Sequence, residues 1–289
     1  MKVRVLAPAK VNLTLDVVGR RADGYHLLRS LMQTVDLYDV VTVSKRDDGR
    51  LCVSCDGGIP ADEHNTATRA ARLFCEKGGN ACGFDITVEK HIPSQAGMAG
   101  GSADAAAVLV ALNVLTGAGY TTAQLCEMGA DIGADVPFCV HGSTVLCSGT
   151  GTELTPVTPL TNGIFVAVKP EGGVSTPEAY RLLDSADALL HPDTDGLCRA
   201  LESGALEEMA ACMGNSFEEP LALPHTADIQ ARLQNGGALR AILTGSGSTV
   251  VGLFRYEQTA EACAKELRQH YPQTFVCRPC TGIVWKILE

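Results

Sequence analysis

The residues best suited to chemistry stand in one run, Pro93-Ser94-Gln95-Ala96-Gly97-Met98-Ala99-Gly100-Gly101-Ser102-Ala103. Glycines and small residues lead directly into an alanine-rich helix. Glycine lets the backbone approach a ligand closely and take positive φ. A helix N-terminus presents unpaired N–H groups and about half a positive charge. Together these read as an anion site suited to a triphosphate. Ser102 is placed to cap the helix or to touch a phosphate or its Mg²⁺. No Gly-Lys-Ser/Thr follows the glycines, so this is not a Walker loop, and the spacing and βαβ setting of the dinucleotide fingerprint are absent. Taken alone, the run also reads as a tight turn with close helix packing.

The elements that must position this loop are legible from periodicity. Val3–Ala7, Val11–Val18, Asp39–Val43, Arg50–Cys55 and Phe84–Val88 read as strands. Asn65–Lys77 has helical spacing, with Ala67, Ala70, Ala71 and Phe74 on one side. Ser102–Leu115 is apolar on most faces and so reads as a buried helix. Thr121 or Thr122 can cap a helix over Ala123–Ile132. Strands are expected again at Phe138–Val140 and Ser143–Cys147. The two prolines of Thr155–Leu160 mark a boundary between two α+β domains, 1–155 and 156–289, with a cleft between them. Beyond it we expect a strand at Gly163–Lys169, a helix at Thr176–Ser185 and polar helices to about Arg232. A strand at Leu239–Thr244 leads into a second Gly/Ser turn at Thr244–Ser248. Strand Thr249–Phe254, helix Gln258–His270 and strand Ile283–Leu288 follow.

The chain has 289 residues, 46% hydrophobic and 19% charged, with a net charge of −10. It reads as globular. An acidic chain without a basic run is a poor binder of nucleic-acid backbones or anionic membranes. The start of the chain shows no signal-peptide pattern, so a cytoplasmic location is expected. Most of the twelve cysteines sit in apolar runs, where a thiol behaves as a small hydrophobe. Two CxxC pairs, Cys52/Cys55 and Cys277/Cys280, lack a local third ligand, and no metal site is expected. Lys90 stands at a strand end, where a lysine is more often solvated than bound to a phosphate.

The loop pattern Pro-x₃-Gly-x₂-Gly-Gly-Ser-x₂-Ala-Ala resembles the phosphate loop of the GHMP kinases. Ala7-Pro8-Ala9-Lys10-Val11-Asn12-Leu13 and Leu243-Thr244-Gly245-Ser246-Gly247-Ser248-Thr249-Val250 resemble that superfamily's other two motifs, in the right order along the chain. Met98 and Ala99 replace a leucine and a glycine often found there. Gly19–Leu28, Gly133–Phe138 and Gly173–Tyr180 resemble the branch that acts on a cytidine diphosphate-linked polyol. The resemblance implies an N-terminal ribosomal-protein-S5-domain-2-like domain and a C-terminal ferredoxin-like domain, the last strand returning to the first. It implies ATP and Mg²⁺, with Pro93–Ala103 around the phosphates, Asp135 as catalytic base and Lys10 as its partner. The lysine is expected close enough to keep the aspartate ionised. Tyr25 and His26 are implied to hold the cytosine, Tyr180 to complete an aromatic sandwich, and Asn12 and Thr176 to make weaker polar contacts to the substrate. Three of these also have a plain reading: Asp135 as a turn or cap residue, Lys10 as a solvated strand charge, Tyr25-His26 as a turn after Asp23-Gly24 with a packed tyrosine. A homoserine- or mevalonate-type alcohol kinase, or a silent ligand sensor on the same fold, are the alternatives. A monomer or weak homodimer is expected.

Overall fold

The computed structural model describes residues 1–78 and 83–288. Two long strands set its frame. β1 (Lys2–Arg20) and β2 (His26–Lys45) pair antiparallel along nearly their whole length. The sequence separates β1 into two strands because Pro8 interrupts the pattern. The strand instead runs through, absorbing the proline with a register shift between Pro8 and Ala9, the usual way a ladder accommodates a residue that cannot donate.

β3 (Leu51–Cys55) pairs parallel with β4 (Phe84–Glu89), and β4 lies against β2. Between them, α1 (Thr66–Gly78) buries Ala67, Ala70, Ala71 and Phe74, the face its spacing marks. α2 (Gly100–Thr116) is buried on most sides and ends at Gly117, whose left-handed φ of 69° lets its N–H return to Asn113. α3 (Thr122–Ala130) starts on a reciprocal capping box of Thr121 with Gln124.

The expected strand at Phe138–Val140 is instead the middle of a short helix, α4 (Val136–His141), with Pro137 in its first turn. A short apolar run does not distinguish a strand from a buried helix turn. Proline, with φ already helical and no N–H to lose, decides it here. β5 (Thr144–Ser148) then pairs with β2 and β6 (Glu153–Pro156).

β7 (Ile164–Val168), α5 (Thr176–Asp184), α6 (Thr194–Ser203) and α7 (Leu206–Cys212) come next. β8 (Gly214–Asn215), α8 (Glu218–Leu221), α9 (Thr226–Asn235), β9 (Arg240–Leu243), β10 (Val250–Phe254) and α10 (Glu257–Leu267) follow. The chain closes with β11 (Thr274–Cys277) and β12 (Val284–Leu288). β11, four residues between Pro272 and Pro279, escapes the sequence reading. It completes an antiparallel sheet ordered β11-β7-β10-β9. The larger sheet has β12-β1-β2-β4-β3 as its path, with β8 also on β1. Among the described residues no helix is long and apolar enough to cross a membrane.

Candidate active site

The two sheets meet at a cleft of about 1190 Å³. Its floor is the loop Pro93–Gly101 and the first turn of α2. Within the loop, φ is positive at Gln95 (51°), Gly97 (69°) and Ala99 (59°). Left-handed residues at alternate positions turn successive N–H groups toward one side, the geometry of an anion nest. The 17-residue helix behind it adds its own positive end. Pro93, Ser94, Gln95, Ala96, Gly97, Ala99, Gly100, Gly101 and Ser102 all line the cleft, whereas Met98 and Ala103 do not: both side chains are buried in the core. Met98 contributes through its carbonyl, which accepts from the Lys10 N–H at 3.1 Å. Ser102 is no cap. The cap position is Ala99, whose methyl cannot accept a hydrogen bond, and Ser102 sits inside the first turn.

The second glycine turn packs directly on this loop. A methyl group on Gly97 would come within 2.1 Å of the Thr244 carbonyl oxygen, and one on Gly245 within 2.9 Å of the Gly97 backbone. Asn12 locks the junction. Its Oδ1 accepts from the Gly245 N–H (2.8 Å) and from Lys10 Nζ (2.6 Å), and its amide donates to Ser30 Oγ (2.8 Å). Asn12 thus holds Lys10 and the turn, and it also lines the cleft.

Asp135 holds the N-cap position of α4, yet its side chain makes no capping hydrogen bond. The residue does stand in a turn at the helix start, but its carboxylate is not spent on the cap, and it lines the cleft with Lys10. Lys10 is 97% buried, so it is no solvated strand charge. The two do not form an ion pair in this structure, since Lys10 Nζ turns to Asn12. Thr176, at the start of α5, lies 3.4 Å from Ser246 Oγ at the cleft's rim.

At the other end lie the aromatic residues. Tyr25 is 67% exposed. His26 itself stacks on Tyr180 with centroids 4.4 Å apart, and Phe217 meets Tyr180 edge-on. Asp184, at the end of α5, ties this group together. Its Oδ1 binds His26 Nε2 at 2.6 Å and its Oδ2 pairs with Arg20 at 3.2 Å. Arg20 in turn donates to the Gly24 carbonyl at 3.0 Å.

Comparison with known proteins adds to this geometry. The GHMP kinase N-terminal domain family matches residues 65–143 and the GHMP kinase C-terminal family residues 197–273. A homoserine kinase from Cytophaga hutchinsonii superposes with a TM-score of 0.81 over 99% of this chain and 97% of its own, at 20% identity. That likeness shows the fold alone. A crystal structure of 4-(cytidine 5'-diphospho)-2C-methyl-D-erythritol kinase superposes with a TM-score of 0.80 at 33% identity, over 95% of this chain and 98% of its own. The 4-diphosphocytidyl-2-C-methyl-D-erythritol kinase of Clostridium perfringens is 42% identical over 93% of this chain and 94% of its own, and that of Clostridium botulinum 39% over 96% and 99%. The chain belongs to the 4-diphosphocytidyl-2-C-methyl-D-erythritol kinase family of the GHMP kinases.

Two groups of this kinase escape a sequence reading. Arg20 and Asp184 meet across 164 positions of chain, which no local pattern encodes. Lys90, expected in solvent, is ion-paired to Asp39 and, at 2.5 Å, to Asp104, with only 10% of its side chain exposed. An aspartate inside an otherwise apolar helix, Asp104, is the one signal that could have pointed to a buried partner. No group of three or more metal-binding side chains is assembled among the described residues of the kinase. Cys52 and Cys55 are separate, half-buried free thiols on β3.

Proposed function

We propose that the protein transfers the γ-phosphoryl group of ATP to the 2-hydroxyl of 4-diphosphocytidyl-2-C-methyl-D-erythritol, a step of non-mevalonate isoprenoid biosynthesis. The observation that carries this reading is the uncommitted Asp135 carboxylate facing the same cleft as the backbone nest of Gln95–Ala99. Phosphoryl transfer asks little covalent work of a protein: it needs phosphates held, a hydroxyl aligned and charge offset. The nest and the α2 N-terminus hold the phosphates. Asp135 takes the proton of the attacking hydroxyl, a role generally worth about 10²–10⁴ in rate. Lys10, fixed by Asn12, offsets charge at the reacting centre.

Mg²⁺ suits a site with few ligands of its own, because it commonly keeps phosphate oxygens and water beside one or two protein groups. Ser102, which lines the cleft without a hydrogen-bond partner among the described residues, would be the protein ligand. The ion would neutralise part of the triphosphate charge. The cytidyl group enters beside Tyr25, His26 and Tyr180, where stacking of a base on an aromatic side chain is worth about 1–3 kcal/mol. Thr176 and Ser246 bound the polyol region. We place the enzyme in the cytoplasm as a monomer or weak homodimer.

The test is ADP release by purified protein with ATP, Mg²⁺ and either the cytidyl substrate or the polyol phosphate without its cytidyl group. Turnover with the first alone is expected. Turnover with homoserine or mevalonate instead would replace this reading. Asp135→Asn should lower kcat at least a hundredfold, in keeping with the size of a general-base contribution, while ATP affinity stays within about twofold. A kcat within threefold of wild type would remove Asp135 from the chemistry.

A further inference from the structure

Between β7 and α5 the chain forms a short strap, Lys169–Ser175, that touches both glycine turns. Lys169, at its start, takes no part in the roles above. It is 8% exposed, and among the described residues no carboxylate pairs with it. A buried ammonium needs hydrogen-bond acceptors, and the strap itself supplies them. Lys169 Nζ donates to the Pro170 carbonyl at 2.8 Å and to the Gly172 carbonyl. The side chain therefore folds the strap back on its own root.

The same carbonyl of Gly172 accepts from Ser248 Oγ at 3.1 Å, which ties the strap to the second glycine turn. The next residue reaches the first. A methyl group on Gly173 would lie 3.1 Å from the carbonyl oxygen of Gln95, the residue that opens the anion nest with φ 51°. The strap then runs straight into α5. Ser175 caps that helix by accepting from the Glu178 N–H, and Thr176 lies 3.4 Å from Ser246 Oγ. Val174, Ser175 and Thr176 line the cleft, and α5 carries Tyr180 to its cytidyl end. One short segment thus abuts the nucleotide loop at Gly173 and sets the start of the helix that bears Tyr180.

We infer that Lys169 is a positioning residue for both substrates: by holding the carbonyls of Pro170 and Gly172 it fixes the strap against the phosphate loop and fixes the start of α5 at the cleft. The inference deepens the reading above and rests on it for what binds at each end. Without the ammonium the strap is loose in the free protein, and each ligand must order it on binding. That cost falls on affinity at both ends and not on the chemical step.

The experiment measures the Kd of ATP with Mg²⁺ in the absence of acceptor, and KM and kcat for the cytidyl substrate, in wild type, Lys169→Met and Lys169→Gln, well below each protein's unfolding transition. Lys169→Met, similar in length but without a donor, should raise the ATP Kd and the cytidyl KM together by about three- to tenfold, the scale of ordering one or two side chains on binding. Its kcat should stay within about twofold, since binding lost equally from ground state and transition state moves KM alone. Lys169→Gln, neutral but still able to donate to a carbonyl, should show a smaller rise of the same sign, and it decides the matter if the methionine variant does not fold. Gly173→Ala, at an exposed position of the strap, should raise the ATP Kd with the lysine intact. A lysine that only stabilised the fold would lower the unfolding temperature and the active fraction, and so kcat, with both affinities unchanged. That result, a rise at one end alone, or an unchanged ATP Kd in Gly173→Ala would overturn the inference while leaving the kinase reading intact. If wild type binds ATP but does not turn over the cytidyl substrate, the acceptor reading fails and the ATP Kd of the Lys169 variants decides this inference by itself. No ATP binding by wild type would remove both.

Discussion

A methyl group at position 97 has no room. The two glycine turns touch backbone to backbone there, and Gly97 also holds a φ of 69°. Gly97→Ala must therefore push Thr244 away or deform the nest. We expect KM for ATP to rise at least about tenfold and stability to fall by about 2–4 kcal/mol, the range for overpacking combined with a disfavoured backbone. ATP titration and thermal unfolding check this; a variant unchanged in both would mean the turns are not packed rigidly. The neighbouring Ala99 shows the contrast. It adopts φ 59° as a non-glycine, which costs about 1–2 kcal/mol, and its methyl packs, partly buried, against the core. The sequence marks both positions as backbone contacts to an anion. It does not reveal that one tolerates a side chain, because that depends on Thr244, which is distant in the chain.

At the scale of elements, the Asp184 clasp joins the start of β2 to the end of α5. It holds His26, which lies on Tyr180, beside the exposed Tyr25. Asp184 is one-third exposed, so its charge pair with Arg20 contributes little by itself; its effect is to orient His26. Asp184→Ala should raise KM for the cytidyl substrate about three- to tenfold, the worth of one oriented hydrogen bond, with a smaller change in kcat. An equal loss of kcat with KM unchanged would instead put Asp184 in the chemical step. Element identity was largely legible. The alanine spacing of α1, the apolar run of α2 and the Thr121 cap each announced themselves, since helix signals are local. α4 and β11 were not, being too short for periodicity to separate helix from strand. The charge partners Asp39, Asp184 and Arg20 are also hidden, because a pairing set by sheet register or by a helix packing on a distant strand leaves no mark in a single sequence.

On the scale of the whole molecule, the two sheets are not independent bodies. β12, at the end of the chain, closes the edge of the larger sheet by pairing with β1, and β8 pairs parallel with Thr14 and Leu15 of the same strand. The hydrophobic cores cross in both directions. One cluster joins Val5, Leu31 and Leu109 to Phe165, Leu197 and Ile242, and the other joins Leu15 and Val17 to Val168, Ile229 and Phe254. Cutting at the proline-rich stretch after residue 155, where the sequence reads a domain boundary, would strip β1 of two neighbours and open both cores. Residues 1–155 alone should then fail to give a cooperatively folded unit, and the two fragments should recover structure only when expressed together. Near-UV circular dichroism and thermal unfolding of each fragment and of the mixture measure this. A fragment that melts in one sharp transition on its own would show that the shared strand and crossed cores are dispensable, and that the cleft between the sheets can hinge. The same shared strand carries Asn12, whose Oδ1 accepts from both Lys10 Nζ and the Gly245 N–H, so the fragment that loses the second glycine turn also loses a hydrogen bond at the cleft.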